Sequence, residues 1–432
     1  MTGALGRGRV GLRELRGRTF RSMRTRNFRI FFYGHMSSVT GTWMQRMGQD
    51  WLVLELTDSA VALGITLMCQ FLPILVLGVP GGVIVDRFDL RRLLVATQVA
   101  QALLAVVLAV LALTGTATLG AVYVLAALLG VTSVVDNPAR HTLVGNLVPR
   151  EDVVNAQSLA TLVNNVGRFV GPAVAGMLIA AVGVGVTFVV NAVSFVAVLV
   201  GLWLMDPSAI RNTAVATRGP GQVREGLRYV WSRPDLRMVL VLTAFVSVFG
   251  QNFRVIFPVL ATRELDGDAT TYGWLIAALG IGAVVGGLVG ASAQAPTARR
   301  LFWVCVAFGG ANAVVAGVPT LGVTLALVAV LGLLNILVNT VARSLIQLGS
   351  AAEVQGRVMA IYLTLFLGGI PVGGPLMGAV VEAWGPRNAM LVAGALVLVG
   401  CAVVWPAVRR GVETHGRAGP DPGPLQEREG KP

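Results

Sequence analysis

The sequence predicts an all-α polytopic membrane protein, with twelve transmembrane helices arranged as two pseudo-symmetric six-helix bundles. Three observations carry that expectation. Of 432 residues, 55% are hydrophobic and 13% charged, about half the charged share of an ordinary soluble domain, and the mean hydropathy of +0.74 exceeds what a soluble core can hide. Apolar runs of about 20 residues, the length that crosses a bilayer, follow one another from Phe28 onward. Two short motifs also recur at a single spacing, as an internal repeat requires.

The chain divides, in order, into a basic arm (1–27), a first bundle (28–206), a polar linker (207–236), a second bundle (237–408) and a tail (409–432). In the arm, Arg7, Arg9, Arg13, Arg16, Arg18, Arg21, Arg24 and Arg26 face a single acid, Glu14, with no apolar block for a signal peptidase. It reads as a cytoplasmic arm lying on anionic lipid or as a solvated tail, and both place the N-terminus inside. The apolar segments fall near 28–54, 60–84, 91–113, 118–138, 153–180, 185–205, 237–262, 270–291, 299–317, 320–342, 356–382 and 386–408. Within the linker, Val223 to Trp231 alternates Arg224, Glu225 and Arg228 with Leu227, Tyr229 and Trp231, which suits a surface helix. The tail, rich in Pro and Gly, is expected to be disordered.

The net charge of +13 is almost all arginine, Lys431 being the only lysine. These arginines sit between apolar runs, so they orient the chain in a membrane rather than bind nucleic acid. With the N-terminus inside, the cytoplasmic loops hold Arg87, Arg91, Arg92, Arg140, Arg150, Arg211 and Arg299 among others, while Glu55, Asp58, Arg263, Glu264, Asp266, Asp268, Glu382 and Arg387 lie opposite. Both termini are therefore expected in the cytoplasm, and the membrane to be the cytoplasmic one. Cys69, Cys305 and Cys401 lie within apolar segments without paired spacing, so neither disulfide nor metal site is expected.

The repeat is visible in the numbering. Asp136-Asn137-Pro138-Ala139-Arg140 ends segment four and Asn339-Thr340-Val341-Ala342-Arg343 ends segment ten, 203 positions on, and the same spacing carries Gly171-Pro172 onto Gly374-Pro375. Two six-helix units in the same orientation follow.

Between segments two and three stands Gly82-x-x-x-Asp86-Arg87-x-x-x-Arg91-Arg92. In that position it resembles the motif of the major facilitator superfamily, over residues 28 to 408; Asp89 stands where a glycine is common. Gly167-x-x-x-Gly171-Pro172-x-x-x-Gly176 in segment five is similar to the motif of proton-coupled antiporters. Trp51 to Thr57 and Asp136 to Arg140 are similar to the drug and siderophore efflux branch, with its macrolide and enterobactin exporters. The resemblance implies a central cavity lined by segments one, four, seven and ten. It also implies a cytoplasmic gate in which Asp86 meets the start of segment eleven and Arg91 reaches Asp136, with Gly82, Arg87, Arg92 and Arg140 beside them. Positive-inside anchoring alone is the alternative for Arg87 and Arg92.

Segment one is unusually polar. At about 100° per residue, His35, Ser38, Thr42, Gln45, Arg46, Gln49 and Asp50 form one stripe, which inside a bilayer must face a water-filled cavity or a protein partner. Segment seven adds Ser247, Gln251 and Arg254, and segment five adds Asn164 and Arg168. Pro172 leaves the carbonyl of Arg168 without its helical donor. Three arginines against few acids make this interior electropositive and favour anionic or polar substrates, unless Asp50 and Glu55 neutralise them. Asp50 is the candidate for proton exchange or, alternatively, a structural partner of Arg46. His35 reads as a proton relay or a packed core residue. Trp43, Met44, Met47 and Trp51 read as an adaptable wall or as lipid-facing groups.

No Gly-x-x-x-x-Gly-Lys loop supports ATP hydrolysis, and no Ser/His/Asp, metal-ligand or paired-carboxylate set supports an enzyme. The expectation is a proton-coupled exporter of a small amphipathic molecule working by alternating access. It needs no cofactor or metal, and its partners are substrate, protons and bilayer, as a monomer. An importer or facilitator of the same fold, or a non-transporting sensor or assembly partner, is the alternative.

Overall fold

The computed structural model describes residues 19–211, 222–291, 296–351 and 354–409. Six helices form the first group: α1 Arg26–Thr57, α2 Ala60–Arg87, α3 Leu90–Leu113, α4 Leu119–Asn146, α5 Val153–Val182 and α6 Val184–Leu204. The surface helix α7 (Gln222–Ser232) leads into α8 Pro234–Phe245, α9 Phe253–Arg263, α10 Ala269–Ala291, α11 Ala298–Ala316, α12 Leu321–Gly349 and α13 Gln355–Arg409. The basic arm before residue 19, linker residues 212–221 and the tail after residue 409 lie outside the described residues.

Ten spans among the described residues are long and apolar enough to cross a membrane. Helix α13 is two helices meeting at Gly385, with φ 82°, a conformation that only glycine adopts freely. Helix α1 has the length of a span but carries the polar stripe and is not among the ten, and α13 counts among them once. Starts are set by side-chain caps: Ser59, Asp89, Thr118 and Thr297 each accept a backbone N–H three residues on, satisfying a donor that the helix itself leaves open. Asp89, at φ −59°, needs no glycine geometry; it serves as the cap of α3.

Two segments overrun their expected ends, α4 to Asn146 and α12 to Gly349, because their polar last turns leave the bilayer without leaving the helix. Segment seven departs most. It breaks into α8 and α9 around a π-helical turn, Val246–Gly250, followed by Gln251 at φ −108° and ψ 19°. The Asn252 amide donates to the Val248 carbonyl at 2.6 Å and the Ser247 hydroxyl to the Phe366 carbonyl, so side chains and a neighbouring helix satisfy the unwound backbone, as the bilayer demands.

Helix α1 is the axis of the first group, packed between α5 and α6. On the α6 side, a Cβ at Gly34 would stand 3.3 Å from the Val198 Cα. On the α5 side, Gly167 and Gly171 leave room for the Val39, Thr40 and Trp43 positions of α1; a Cβ at Gly171 would lie 2.8 Å from the Thr40 carbonyl oxygen. Small residues here give the close backbone approach that membrane packing uses.

The two groups meet along two seams, α5 against α10 and α2 against α13. A Cβ at Gly176 would meet the Ala269 carbonyl oxygen at 2.6 Å, and one at Gly378 the Ala60 carbonyl oxygen at 2.5 Å. Polar links tighten the same end: the Glu382 carboxylate accepts from the Ala60 N–H at 2.9 Å, and Arg263 pairs with Asp58 at 3.2 Å. At the opposite end Val83, Ile84, Asp86 and Arg87 of α2 are exposed, as is Phe88 just after it.

Candidate functional site

Where the groups meet, Asp50 of α1 is fully buried. Arg254 at the start of α9 crosses to it with both arms of its fork, Nη2 donating to Oδ1 at 2.7 Å and Nε to Oδ2 at 2.8 Å. The hydroxyl of Tyr272 on α10 donates to Oδ2 at 3.0 Å. Arg254 Nη1 also donates to Gln70 Oε1 at 3.2 Å, and Gln70 passes its own N–H to Gln49 at 3.0 Å. Asp50 thus accepts from three donors, and a bidentate guanidinium–carboxylate pair removed from water is strong and demanding in its geometry. The break in segment seven matters here, since it starts a new helix from which Arg254 aims at α1. The sequence offered Arg46 as the partner of Asp50; the structure gives Arg254, because Arg46 lies one turn back and only its backbone carbonyl enters the network, accepting from Arg254 at 3.3 Å. Glu55 neutralises no interior arginine either and accepts from the Trp51 indole N–H at 2.6 Å.

Arg46 and Arg168 are differently placed. The Arg46 guanidinium lies 4.6 Å from the Trp43 ring centre and 5.9 Å from that of Phe71, and Arg168 lies 5.3 Å from the same Trp43 ring. Arg46 Nε is buried without a hydrogen-bond partner among the described residues, and neither arginine has an ion pair there. The Gly167 and Gly171 steps of α5 bring Arg168 to this ring, which gives the glycine pattern of segment five a concrete use. Gly176 faces α10 instead, and the Pro172 carbonyl lies against Gly273. Gln251 at the helix break also holds a buried amide nitrogen without a partner among the described residues. Met44 and Met47 are buried in the packing core rather than facing lipid, and Trp43 is half-buried between the arginines.

A third cluster lies deeper in the first group. The carboxylate of Asp136 accepts from Arg140 at 2.8 Å, Thr97 at 2.9 Å and Gln98 at 2.7 Å. Arg140 reaches on to His35 Nδ1 at 3.0 Å, and His35 Nε2 faces the Asn164 amide at 3.1 Å. Arginine only donates, so His35 Nδ1 accepts from Arg140. His35 is buried and stacked on Phe31, a packed residue in this state.

Several expected placements differ. Arg91 does not reach Asp136: it caps the end of α6 through the carbonyls of Leu202 at 2.8 Å and Trp203 at 3.2 Å, while Asp136 is already saturated by Arg140, Thr97 and Gln98. Asp86 is exposed and makes no hydrogen bond or ion pair among the described residues, so its expected contact with the start of α13 is not formed in this structure; Arg87 and Arg92 are exposed as well. Gly82 is half-buried, and its neighbour Gly81 makes a close approach, where a Cβ would lie 2.8 Å from the Val134 carbonyl oxygen. Gln45 turns away from the interior and accepts from Asn191 of α6 at 2.7 Å. Ser38 is buried and Thr42 half-buried. Sequence reasoning missed Tyr272, Gln70, Thr97, Gln98 and Asn191. The glutamines and Asn191 were detectable, as polar residues inside apolar spans need partners; nothing in the sequence marks Tyr272. Among the described residues no group of three His, Cys, Asp or Glu could hold a metal.

Two groups of membrane helices clasped about a charged interior define a transporter of the major-facilitator type rather than an enzyme. The chain belongs to the transmembrane secretion effector family, whose model matches residues 18–419. It is 26% identical over 388 residues, 87% of this chain and 94% of the relative, to the multidrug efflux pump Tap of Mycolicibacterium fortuitum. It is 28% identical to the staphyloferrin A transporter of Staphylococcus aureus (strain NCTC 8325 / PS 47), over 60% of this chain and 66% of the relative's length. It is 21% identical to macrolide efflux protein A of Streptococcus pyogenes, over 88% and 96%. The fold is shared with the nucleoside transporter NupG (TM-score 0.72, 10% identity, 89% of this chain and 99% of that one). It is shared equally with a bacterial homologue of the human lysosomal transporter Spinster (TM-score 0.70, 13% identity, 89% and 97%).

Proposed function

We propose that this chain is a proton-coupled exporter of a small amphipathic molecule, cycling by alternating access between its two helix groups. The observation that carries the reading is the Asp50–Arg254 pair. It joins the groups across their interface, and Asp50 has no free oxygen in this arrangement, so a proton and Arg254 compete for the same carboxylate. Protonation of Asp50 releases Arg254 and with it the clasp. With the N-terminus inside, the clasped end is the outer one, and the end bearing Asp86 and Arg87 opens to the cytoplasm. The export direction is supported by relatives named as a multidrug efflux pump and a macrolide efflux protein, and by the segment-five glycine pattern. Asp86, Arg87, Arg91 and Arg92 then belong to a gate that forms in the opposite state.

The test uses everted membrane vesicles from cells producing the chain, energised by respiration, with fluorescent dyes of positive, negative and zero charge. Accumulation of a dye that collapses with a protonophore is the expected result. Accumulation that survives the protonophore, or that needs ATP, overturns the reading.

A further inference from the structure

Among the described residues, Arg46 stands within electrostatic range of Arg168, Arg254 and Asp50. Asp50 is spent on Arg254, to which it is bound bidentately. Arg46 and Arg168 are left with two positive charges and no ion pair among the described residues. Buried charge in a membrane protein is costly unless it is paired or serves a ligand. The acid that α1 places one turn from Arg46 is Asp50, and it is committed to Arg254. Instead Trp43 sits against both groups, at 4.6 Å and 5.3 Å. A cation–π contact fixes a guanidinium in place and leaves its N–H donors unspent. The orphaned Arg46 Nε is such a donor, while Arg168 is exposed. Phe71 adds an apolar surface beside Arg46.

From this arrangement we infer that the Arg46–Trp43–Arg168 cluster is the recognition site for an oxyanion, a carboxylate or phosphate group borne on the transported molecule, whose apolar part lies along Trp43 and Phe71. Guanidinium forks match the paired oxygens of both groups. Bound there, the anion supplies the charge that the protein omits. An incoming cation would meet two uncompensated positive charges, so lipophilic cations are rejected.

The inference rests on the exporter reading, and its test separates the two. Purified full-length chain in lipid nanodiscs is titrated calorimetrically with citrate, with glycerol phosphate and with tetraphenylphosphonium, against the wild type, Arg168→Gln, Arg46→Gln and Arg168→Lys. Arg168 makes no hydrogen bond among the described residues, so its replacement leaves the fold intact, and thermal unfolding of each variant checks this. Citrate or glycerol phosphate is expected to bind the wild type, whichever is tighter naming the source of the oxyanion. Loss of the charge-assisted bonds in either Gln variant weakens binding by at least about tenfold. Arg168→Lys, which keeps the charge and loses the fork, falls between. Equal binding to wild type and Arg168→Gln, binding of tetraphenylphosphonium in preference to both anions, or binding of neither anion by folded wild type overturns the site. Anion binding without gradient-driven transport removes the exporter and leaves the site standing; gradient-driven transport of tetraphenylphosphonium alone does the reverse.

Discussion

Arg254 and Arg168 enter the same interior from opposite helix groups and meet opposite electrostatic situations. Arg254 is bound at both arms by a carboxylate from the other group, its side chain 17% exposed against 1% for Asp50. Arg168 rests on an indole ring, exposed and without an acidic partner among the described residues. The first arrangement ties the groups together and can be undone by a proton. The second holds a charge in place without satisfying it, which is what a binding site for a charged solute needs. The same side chain thus serves as clasp or as receptor according to what stands across from it.

The largest expected effect separates the two arginines by stability. Arg254→Gln leaves Asp50 buried without its partner and is expected to destabilise the protein by roughly 3 kcal/mol, whereas Arg168→Gln stays within about 0.5 kcal/mol; thermal unfolding in detergent measures both. Equal losses would erase the distinction between clasp and receptor. A smaller contrast tests the two acids read from sequence as one gate. Asp136→Asn removes the charge that Arg140, Thr97 and Gln98 address and is expected to cost about 1–2 kcal/mol. Asp86→Asn, at an exposed position, is expected to change stability by less than about 0.5 kcal/mol while impairing transport through the state in which its partner is engaged.

Much of the fold is legible because hydropathy and caps are local. The spans are read from residues near in sequence, and the recurrence of Gly171-Pro172 at Gly374-Pro375 from a single spacing. The break at Val246–Gly250 is not, because it depends on the Phe366 carbonyl and on Asn252 satisfying backbone that an isolated helix would pair for itself. At the site, the polarity of α1 is evident from composition but its partners are not. Gln45 turns to Asn191 because Gly41 and Gly48 on its face admit α6. Asp50 and Arg254 lie 204 positions apart, beyond any local pattern. Asp136 and Arg140 are one helical turn apart, a spacing that favours pairing, and Arg91 competes from a different helix against a partner already in place.

The central claim is that Asp50 exchanges Arg254 for a proton during transport. Reconstituted into proteoliposomes, Asp50→Asn cannot make that exchange. The account predicts that an imposed pH gradient no longer drives accumulation in this variant, while substrate-for-substrate exchange across the same membrane persists. Gradient-driven accumulation equal to that of the wild type would contradict it.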